Sequence, residues 1–409
     1  MRLDSLAVMT RVNGAVESSG ERAADLDGAH ERDRLFAPCY PGLTPRMLLP
    51  TARTAGLPFP FNESRARYYY LARNGIYALA RLWGLGGREV LFPAYFHGVE
   101  LEALLRAGVR VRFYPVRQGM RVQVDDVVSR ISRDTRAIYL THFLGFPGPV
   151  EELAEVTRER GLSLIEDCAH GLLSRLGDRP LGSWGDAAIF CLYKSLPVPN
   201  GGVLVLRGGE PSGLPECERP SWASTLRLSA DVLERHLQIQ DRRWQRWLLN
   251  AARAVGSRAA RLLAGKRVEV DTEHFEQPYA LLAMSKLSHR IIATQAFPAI
   301  VETRRRNYLQ LLDALRDIAL PVFDVLPAGV CPLSLPLRVR NKPQVVERFL
   351  ARGVDAVNMW FPNHPAGPVE AYPEVAELRS TVLELPCHQS LTPQVIERVA
   401  SVARDILAT

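Results

Sequence analysis

The central part of the chain alternates short runs of apolar residues with stretches of helical apolar spacing. The first kind predicts buried strands, and the second kind predicts amphipathic helices. The predicted strands lie at 89–92, 109–114, 137–141, 163–165, 187–192 and 202–206. The predicted helices lie at 66–83, 99–107 and 150–160. This alternation is typical of an α/β fold with a mainly parallel sheet, whose ligands collect at the carboxyl ends of the strands.

The flanking sequence divides the chain into three parts. Residues 1–35 are polar and aperiodic and predict a mobile N-terminal arm. Residues 36–295 form a predicted large domain with a helical insert at 222–264. Residues 296–409 form a predicted small α/β domain. Its predicted elements are a helix that enters it over 291–315, a strand at 333–339 and helices at 343–352 and 393–407.

Composition narrows the class of protein. With 409 residues, 47% apolar and 23% charged, the chain is the size of a globular enzyme. We find no apolar run of about eighteen residues and no apolar signal-peptide core, so we expect a cytoplasmic protein that does not bind membranes. The net charge of +7 is spread along the chain without a basic stripe on a nucleic-acid module, which excludes nucleic acid as the expected partner. The six scattered cysteines predict reduced thiols, with no metal site and no disulfide.

Two segments carry candidate chemistry. Asp167 and His170 follow an apolar strand, and Lys194 follows another strand 27 residues after Asp167. A strand-end carboxylate can pair with the protonated ring nitrogen of pyridoxal phosphate (PLP), and a desolvated lysine can act as an amine nucleophile. Taken singly, each has an ordinary alternative, since strand-end acids often cap helices and loop lysines are usually solvated.

Two upstream segments strengthen this interpretation. Asn74, Gly75 and Ile76 lie where a helix is predicted to start, and free amides with the helix dipole favour a phosphate there. His97 ends a segment of three rings, of which one could lie flat on a heterocycle, whereas Tyr95 and Phe96 are better explained by core packing.

This set of motifs resembles the DegT/DnrJ/StrS family of PLP-dependent sugar aminotransferases, from about residue 64 to the C-terminus. The matching stretches are Asn-Gly-Ile-Tyr-Ala-Leu at 74–79, Pro-Ala-Tyr at 93–95, His-Phe-Leu-Gly-Phe-Pro at 142–147, Glu-Asp-Cys-Ala-His at 166–170, the turn at 178–186 and the strand before Lys194. The resemblance implies the type I fold of PLP-dependent transferases, as in aspartate aminotransferase, and a homodimer.

The resemblance also implies individual roles. Lys194 would hold PLP as a Schiff base and shuttle the proton during the reaction. Asp167 would pair with the pyridine nitrogen, and His170, where the family usually has glutamine, would contact the phenolic oxygen. His97 would stack on the ring. The phosphate would bind around Asn74, with Gly75 and Ile76 offering their amides.

Two departures from the family concern the phosphate. The family's threonine ligand is Ile76 here, and its serine is Cys191 in the strand before Lys194. The interval from Cys191 to Lys194 is also two residues shorter than in typical family members. Backbone amides are therefore expected to do more of the phosphate binding.

The leading hypothesis is PLP-dependent transfer of an amino group from an amino acid donor, glutamate, to a keto-sugar that is nucleotide-linked. One alternative is a PLP enzyme of the same family that acts on a non-sugar intermediate, and another is a non-catalytic relative that binds PLP or a sugar nucleotide. In the C-terminal part, Trp360, His364 and His388 are candidates for the substrate cleft. The helix that carries Arg304, Arg305, Asn307 and Tyr308 is expected to present them on a solvated face, with contact to a nucleotide phosphate as the alternative.

Overall fold

A computed structural model describes residues 35–49, 56–207, 213–262, 274–361 and 363–408. The predicted N-terminal arm thus lies outside the described residues, apart from Leu35. Among the helices of the described part, none is long and apolar enough to cross a membrane.

A seven-stranded sheet forms the centre of the structure. Its strands are β1 (Ala66–Tyr69), β2 (Glu89–Pro93), β3 (Arg110–Tyr114), β4 (Thr135–Thr141), β5 (Ser163–Asp167), β8 (Ala187–Cys191) and β9 (Gly202–Leu206), in the spatial order β1-β9-β8-β5-β4-β2-β3. Strands β8, β5, β4, β2 and β3 are parallel, and β9 and β1 add an antiparallel edge. Strands β2, β8 and β9 are buried throughout, as expected for a sheet covered on both faces. A two-stranded ribbon, β6 (Arg175–Leu176) and β7 (Arg179–Pro180), lies between β5 and β8 in the sequence.

Helices alternate with these strands, and apolar clusters fill the spaces between them. The helices before the C-terminal part are α1 (Ala72–Leu82), α2 (Val99–Arg106), α3 (Val124–Val128), α4 (Val150–Arg160), α5 (Trp222–Ile239), α6 (Arg243–Leu262) and α7 (Lys286–Ile292). The predicted α/β fold with a mainly parallel sheet is confirmed.

The C-terminal lobe, defined here as residues 297–408, contains a three-stranded antiparallel sheet and four helices. They are α8 (Phe297–Leu315), β10 (Leu320–Pro321), β11 (Ser334–Arg338), α9 (Lys342–Ala351), α10 (Pro373–Thr381), β12 (Val382–Pro386) and α11 (Pro393–Leu407). Apolar residues of this lobe share one core cluster with residues of β2, β4 and β5. Contacts between the lobe and the large sheet are therefore part of the packed interior.

Three predicted helices differ from the structure. The first four residues of 66–83 form strand β1, because Tyr68 and Tyr69 favour an extended edge strand paired with β9. The insert 222–264 is two helices, broken at Asp241, which adopts a left-handed conformation (φ 47°). The predicted helix at 291–315 is also divided between two helices. Helix α7 ends at Ile292, and Pro298 lies in the first turn of α8, a position that proline favours.

Candidate functional site

Lys194 lies in a tight turn just beyond strand β8. The amides of Ser195 and Leu196 both donate to the carbonyl of Leu192, at 3.0 and 2.8 Å, and the amide of Leu192 donates to the carbonyl of Gly201 at 2.9 Å. The turn directs the chain back towards β9. The Lys194 side chain is half-buried at the carboxyl end of the parallel strands.

Asp167 ends strand β5, which is the central strand of the sheet and is separated from the edge strand β1 by β8 and β9. Its Oδ2 accepts a hydrogen bond from the Tyr139 hydroxyl (3.0 Å), and its Oδ1 accepts one from the Ala169 amide (2.9 Å). Burial, with a smaller contribution from Glu100, raises the pKa of this carboxyl to about 6. Among the described residues, no lysine, arginine or histidine forms an ion pair with Asp167, so the buried carboxylate still has acceptor capacity for a cationic group.

His170 connects these two segments. Its Nε2 lies 2.9 Å from the Nζ of Lys194, and its Nδ1 accepts a long hydrogen bond (3.4 Å) from the Leu144 amide. Burial, together with Lys194 and His97, lowers the pKa of His170 well below its ordinary value, so the ring is neutral. The structure therefore brings Lys194, His170 and Asp167 together, as the sequence predicts.

Glu166, the neighbour of Asp167, points to the other face of the sheet and organises the turn that precedes β8. It accepts hydrogen bonds from the amides of Gly182 (2.7 Å), Trp184 (2.7 Å) and Gly185 (2.5 Å) and lies 3.1 Å from the Nε2 of His142. Both side chains of the Glu166–His142 pair are fully buried. This arrangement fixes the position of β5 relative to β8 and, with it, the position of Asp167 relative to Lys194.

The predicted phosphate segment, residues 74–76, does not lie at the very start of its helix. Helix α1 starts at Ala72, so Gly75 is its fourth residue and Ile76 its fifth, and their amides lie beyond the first turn of the helix. A Cβ on Gly75 would lie 3.4 Å from the ring of Tyr69 and 3.5 Å from Leu204, which shows that Gly75 allows close packing of the helix on the sheet. The Asn74 side-chain amide donates to the Tyr279 carbonyl (2.5 Å). The first turn of α1, before Gly75, is therefore the part that presents amides to an anion.

Cys191 is 3% exposed and lies at the end of β8, three residues before Lys194. Burial is the main factor that raises the pKa of its thiol. None of the six cysteines forms a disulfide.

His97 is exposed beside the site. Its backbone amide donates to Glu100 (2.7 Å), while its imidazole is close enough to depress the pKa of His170. Tyr95 and Phe96 are 0 and 1% exposed, which confirms that they pack in the core.

Of the three C-terminal candidates, Trp360 lies against the site. Its ring centroid is 4.4 Å from that of Tyr95 and 5.8 Å from that of His170. Two buried cations hold its loop, since Lys342 donates to the Met359 carbonyl (3.0 Å) and Arg379 to the Trp360 carbonyl (2.7 Å). His364 instead pairs with Glu102 (3.1 Å), and the Nε2 of His388 lies 2.9 Å from the Pro38 carbonyl.

The expectation of a solvated face on α8 is wrong for three of its four residues. Arg304, Asn307 and Tyr308 are 1, 2 and 0% exposed, and only Arg305 has donors on the surface. Three consecutive arginines in the sequence suggested a solvent-facing patch, whereas helical periodicity with Tyr308 and Leu311 turns Arg304 inwards.

The mainly parallel sheet and the C-terminal lobe have the fold of solved aminotransferase structures. The Helicobacter pylori protein PseC, an aminotransferase involved in the biosynthesis of pseudoaminic acid, has a similar structure, with a TM-score of 0.64, 15% identity and coverage of 91% of this chain and 99% of that one.

Sequence comparison finds similarity to one family over part of the chain. Residues 74–212 match the model of the DegT/DnrJ/EryC1/StrS aminotransferase family. The GDP-perosamine synthase of Vibrio cholerae is 27% identical over 131 residues, which is 31% of this chain and 36% of that enzyme. The dTDP-4-dehydro-2,3,6-trideoxy-D-glucose 4-aminotransferase of Saccharopolyspora spinosa is 33% identical over 120 residues, 29% of this chain and 31% of that enzyme. The matched region thus spans about a third of the length of these curated relatives.

Proposed function

We propose that this protein is a PLP-dependent aminotransferase that moves an amino group from glutamate to a nucleotide-linked keto-sugar. The observation that carries the proposal is the buried Asp167 carboxylate, which has no cationic partner among the described residues and lies in one site with Lys194 and His170. A buried carboxylate of this kind is expected to bind a cation.

The residues of the site fit PLP. Asp167 would bind the protonated ring nitrogen, Lys194 would hold the aldehyde carbon, and His170, at 2.9 Å from Lys194, would donate to the neighbouring phenolic oxygen. The first turn of α1 would bind the phosphate, and Gly202 lets that turn lie directly on β9. His97, exposed at the mouth of the site, would cover the ring.

PLP supplies the electron sink that makes the α-hydrogen of an amino acid acidic. The chain would supply the base: the Nζ of Lys194 would accept that proton and hold it at the site. The neutral His170 ring keeps a second positive charge away from Lys194. Trp360, packed against Tyr95 and Phe143, would limit the access of water to Lys194.

The names of the relatives support a sugar nucleotide as the acceptor. The two curated relatives described above are named for GDP-linked and dTDP-linked sugars. The net charge of +7 also favours an anionic substrate such as a nucleoside diphosphate.

The test is the absorbance spectrum of the purified protein with PLP, before and after addition of glutamate. Wild type is expected to show the visible band of lysine-bound PLP and to lose it with glutamate. The chain has only four lysines, Lys194, Lys266, Lys286 and Lys342. Lys194→Ala should lose the band, whereas Lys286→Ala, an exposed control, should keep it.

The outcomes separate the hypotheses. A wild-type spectrum without the band contradicts the cofactor assignment. A band that glutamate and other amino donors leave unchanged favours the non-catalytic alternative. If the protein reacts with glutamate but aminates no nucleotide-linked keto-sugar, the result favours a PLP enzyme that acts on a non-sugar intermediate.

We also propose that the protein acts as a homodimer. The paired helices α5 and α6 leave three tryptophans, Trp222, Trp244 and Trp247, 74, 63 and 69% exposed, an apolar surface that a second copy would cover. Light scattering of wild type should give twice the chain mass. A monomer that nevertheless turns over substrate would contradict this proposal.

A further inference from the structure

The carbonyl of Ser195, the residue after Lys194, is bound by two side chains of the C-terminal lobe. Arg304 donates to it from Nη2 at 3.1 Å, and Gln389 donates from Nε2 at 2.9 Å. Ser195 is 5% exposed, and no backbone amide in the described loops and turns donates to this carbonyl. The residue that follows the lysine is therefore fixed by groups more than a hundred positions away in the sequence.

Arg304 is itself held in one orientation. Its Nε donates to the Oε1 of Gln389 (2.8 Å), and its Nη1 donates to the carbonyls of Pro332 (3.1 Å) and Leu333 (3.0 Å). With the bond to Ser195, all three guanidinium nitrogens are engaged and the side chain is 1% exposed. A planar, fully engaged guanidinium is a rigid element, and a lysine ammonium cannot reproduce its geometry.

Arg304 and Gln389 thus form a closed set with Ser195, in which each of the three residues is bonded to the other two. The turn at 192–196 has its own backbone bonds on the side of Leu192, whereas its exit is held by this set. The position of the Lys194 side chain relative to His170 therefore depends on both ends of the turn.

We propose that Arg304 and Gln389 are positioning residues for Lys194. Their hydrogen bonds to the Ser195 carbonyl determine where the Lys194 amine lies. The inference rests on the proposed function for the role of Lys194, but the placement itself can be measured without turnover.

The experiment labels lysines with pyridoxal, which lacks the phosphate, followed by cyanoborohydride, and maps the products by mass spectrometry. Lys286 is exposed and far along the chain from the turn, so the ratio of label at Lys194 to label at Lys286 is an internal measure of Lys194 placement. The variants are Arg304→Lys and Gln389→Leu. Arg305→Lys and Asn307→Leu are the matched controls, because both lie on α8 and donate to carbonyls of the C-terminal lobe but not to Ser195.

We expect the ratio to change about fivefold or more in Arg304→Lys and in Gln389→Leu, the factor associated with one lost hydrogen bond, and to stay within about twofold of wild type in both controls. The wavelength of the PLP band should shift in the same two variants. If Arg304→Lys does not fold, Gln389→Leu decides the question alone.

Unchanged ratios in both variants, or equal changes in variants and controls, would overturn the proposal even if wild type is an active aminotransferase. Conversely, a wild type that forms no PLP band while its labelling ratio responds to Arg304→Lys would remove the proposed function and leave the positioning role intact.

Discussion

The Nζ of Lys194 lies 2.9 Å from the Nε2 of His170. This contact joins the loop after β8 to the loop after β5, so the two groups that the sequence places 24 positions apart act in one site. Burial depresses the pKa of His170, and the neutral ring provides one N–H donor and one acceptor at this point.

We predict that His170→Gln retains PLP binding and that His170→Leu weakens it about tenfold, because glutamine keeps a hydrogen-bonding group and leucine leaves a buried partner unsatisfied. The measurement is a titration of the visible band with PLP. His289→Leu, on the exposed side of α7, is the control and should bind as wild type does. Equal affinity of His170→Leu and His170→Gln would show that this ring does not contact the cofactor.

Asp167 gives a pH-dependent prediction for the protein free of PLP. Because burial raises the pKa of its carboxyl in the folded state to about 6, the folded protein holds this proton more tightly than the unfolded chain. The contribution of Asp167 to stability is therefore favourable at low pH and is lost as the pH rises through about 4 to 6.

Asp167→Asn should consequently gain stability relative to wild type as the pH rises, by about 3 kcal/mol between pH of about 4 and about 7. Denaturant unfolding at several pH values measures the difference. Asp134→Asn, whose carboxylate is at the surface, should show no such gain. A difference that is flat with pH would mean that the Asp167 carboxyl is not desolvated.

Glu166→Gln should destabilise the protein by about 2–4 kcal/mol. In either orientation the glutamine NH2 group would face backbone N–H donors, those of Trp184 and Gly185 or that of Gly182, where a carboxylate oxygen now accepts. Denaturant unfolding is again the measurement, with the exposed Glu155→Gln as the control, for which less than about 1 kcal/mol is expected. Similar losses in the two variants would contradict a structural role for the buried pair.

Gly202→Ala tests how closely the first turn of helix α1 packs against strand β9. A Cβ at this position would fall inside van der Waals contact of the backbone of Leu71 and Ala72, so the first turn of α1 has to shift. We expect a loss of about 1–3 kcal/mol in stability and weaker binding of PLP relative to pyridoxal. Gly86→Ala, which meets only the Ala107 carbonyl at 3.4 Å, is the matched control. Unaltered discrimination between PLP and pyridoxal would place the phosphate elsewhere.

The sequence predicted those parts of the fold that depend on local pattern. Strand β9 and helix α4 begin and end where their apolar periodicity does, at Gly202–Leu206 and Val150–Arg160. The segment 66–83 was predicted wrongly because its apolar spacing suits a helix, whereas pairing with β9, more than a hundred residues later, makes its first residues a strand.

The candidate site shows the same division. Asp167, His170 and Lys194 follow strands of a parallel sheet, so the sequence alone was enough to expect them at one edge. Arg304 could not be assigned in this way, since its burial depends on which face of α8 meets the C-terminal sheet. No local sequence pattern around Gln389 indicates its contact with Ser195 in the lysine loop. Likewise, none around Trp360 indicates its contact with His170.

Four of the bonds between the two lobes share one direction. Side chains of the C-terminal lobe donate to main-chain carbonyls of the large sheet and its loops: Arg304 and Gln389 to Ser195, Arg379 to Phe96 and Tyr372 to Phe113. A main-chain carbonyl is the same whichever amino acid carries it. At these four contacts the large domain is thus free to change its side chains during evolution, while the C-terminal lobe has to retain its donors, and a chimeric protein with a foreign large domain should keep these contacts only if the lobe supplies all four.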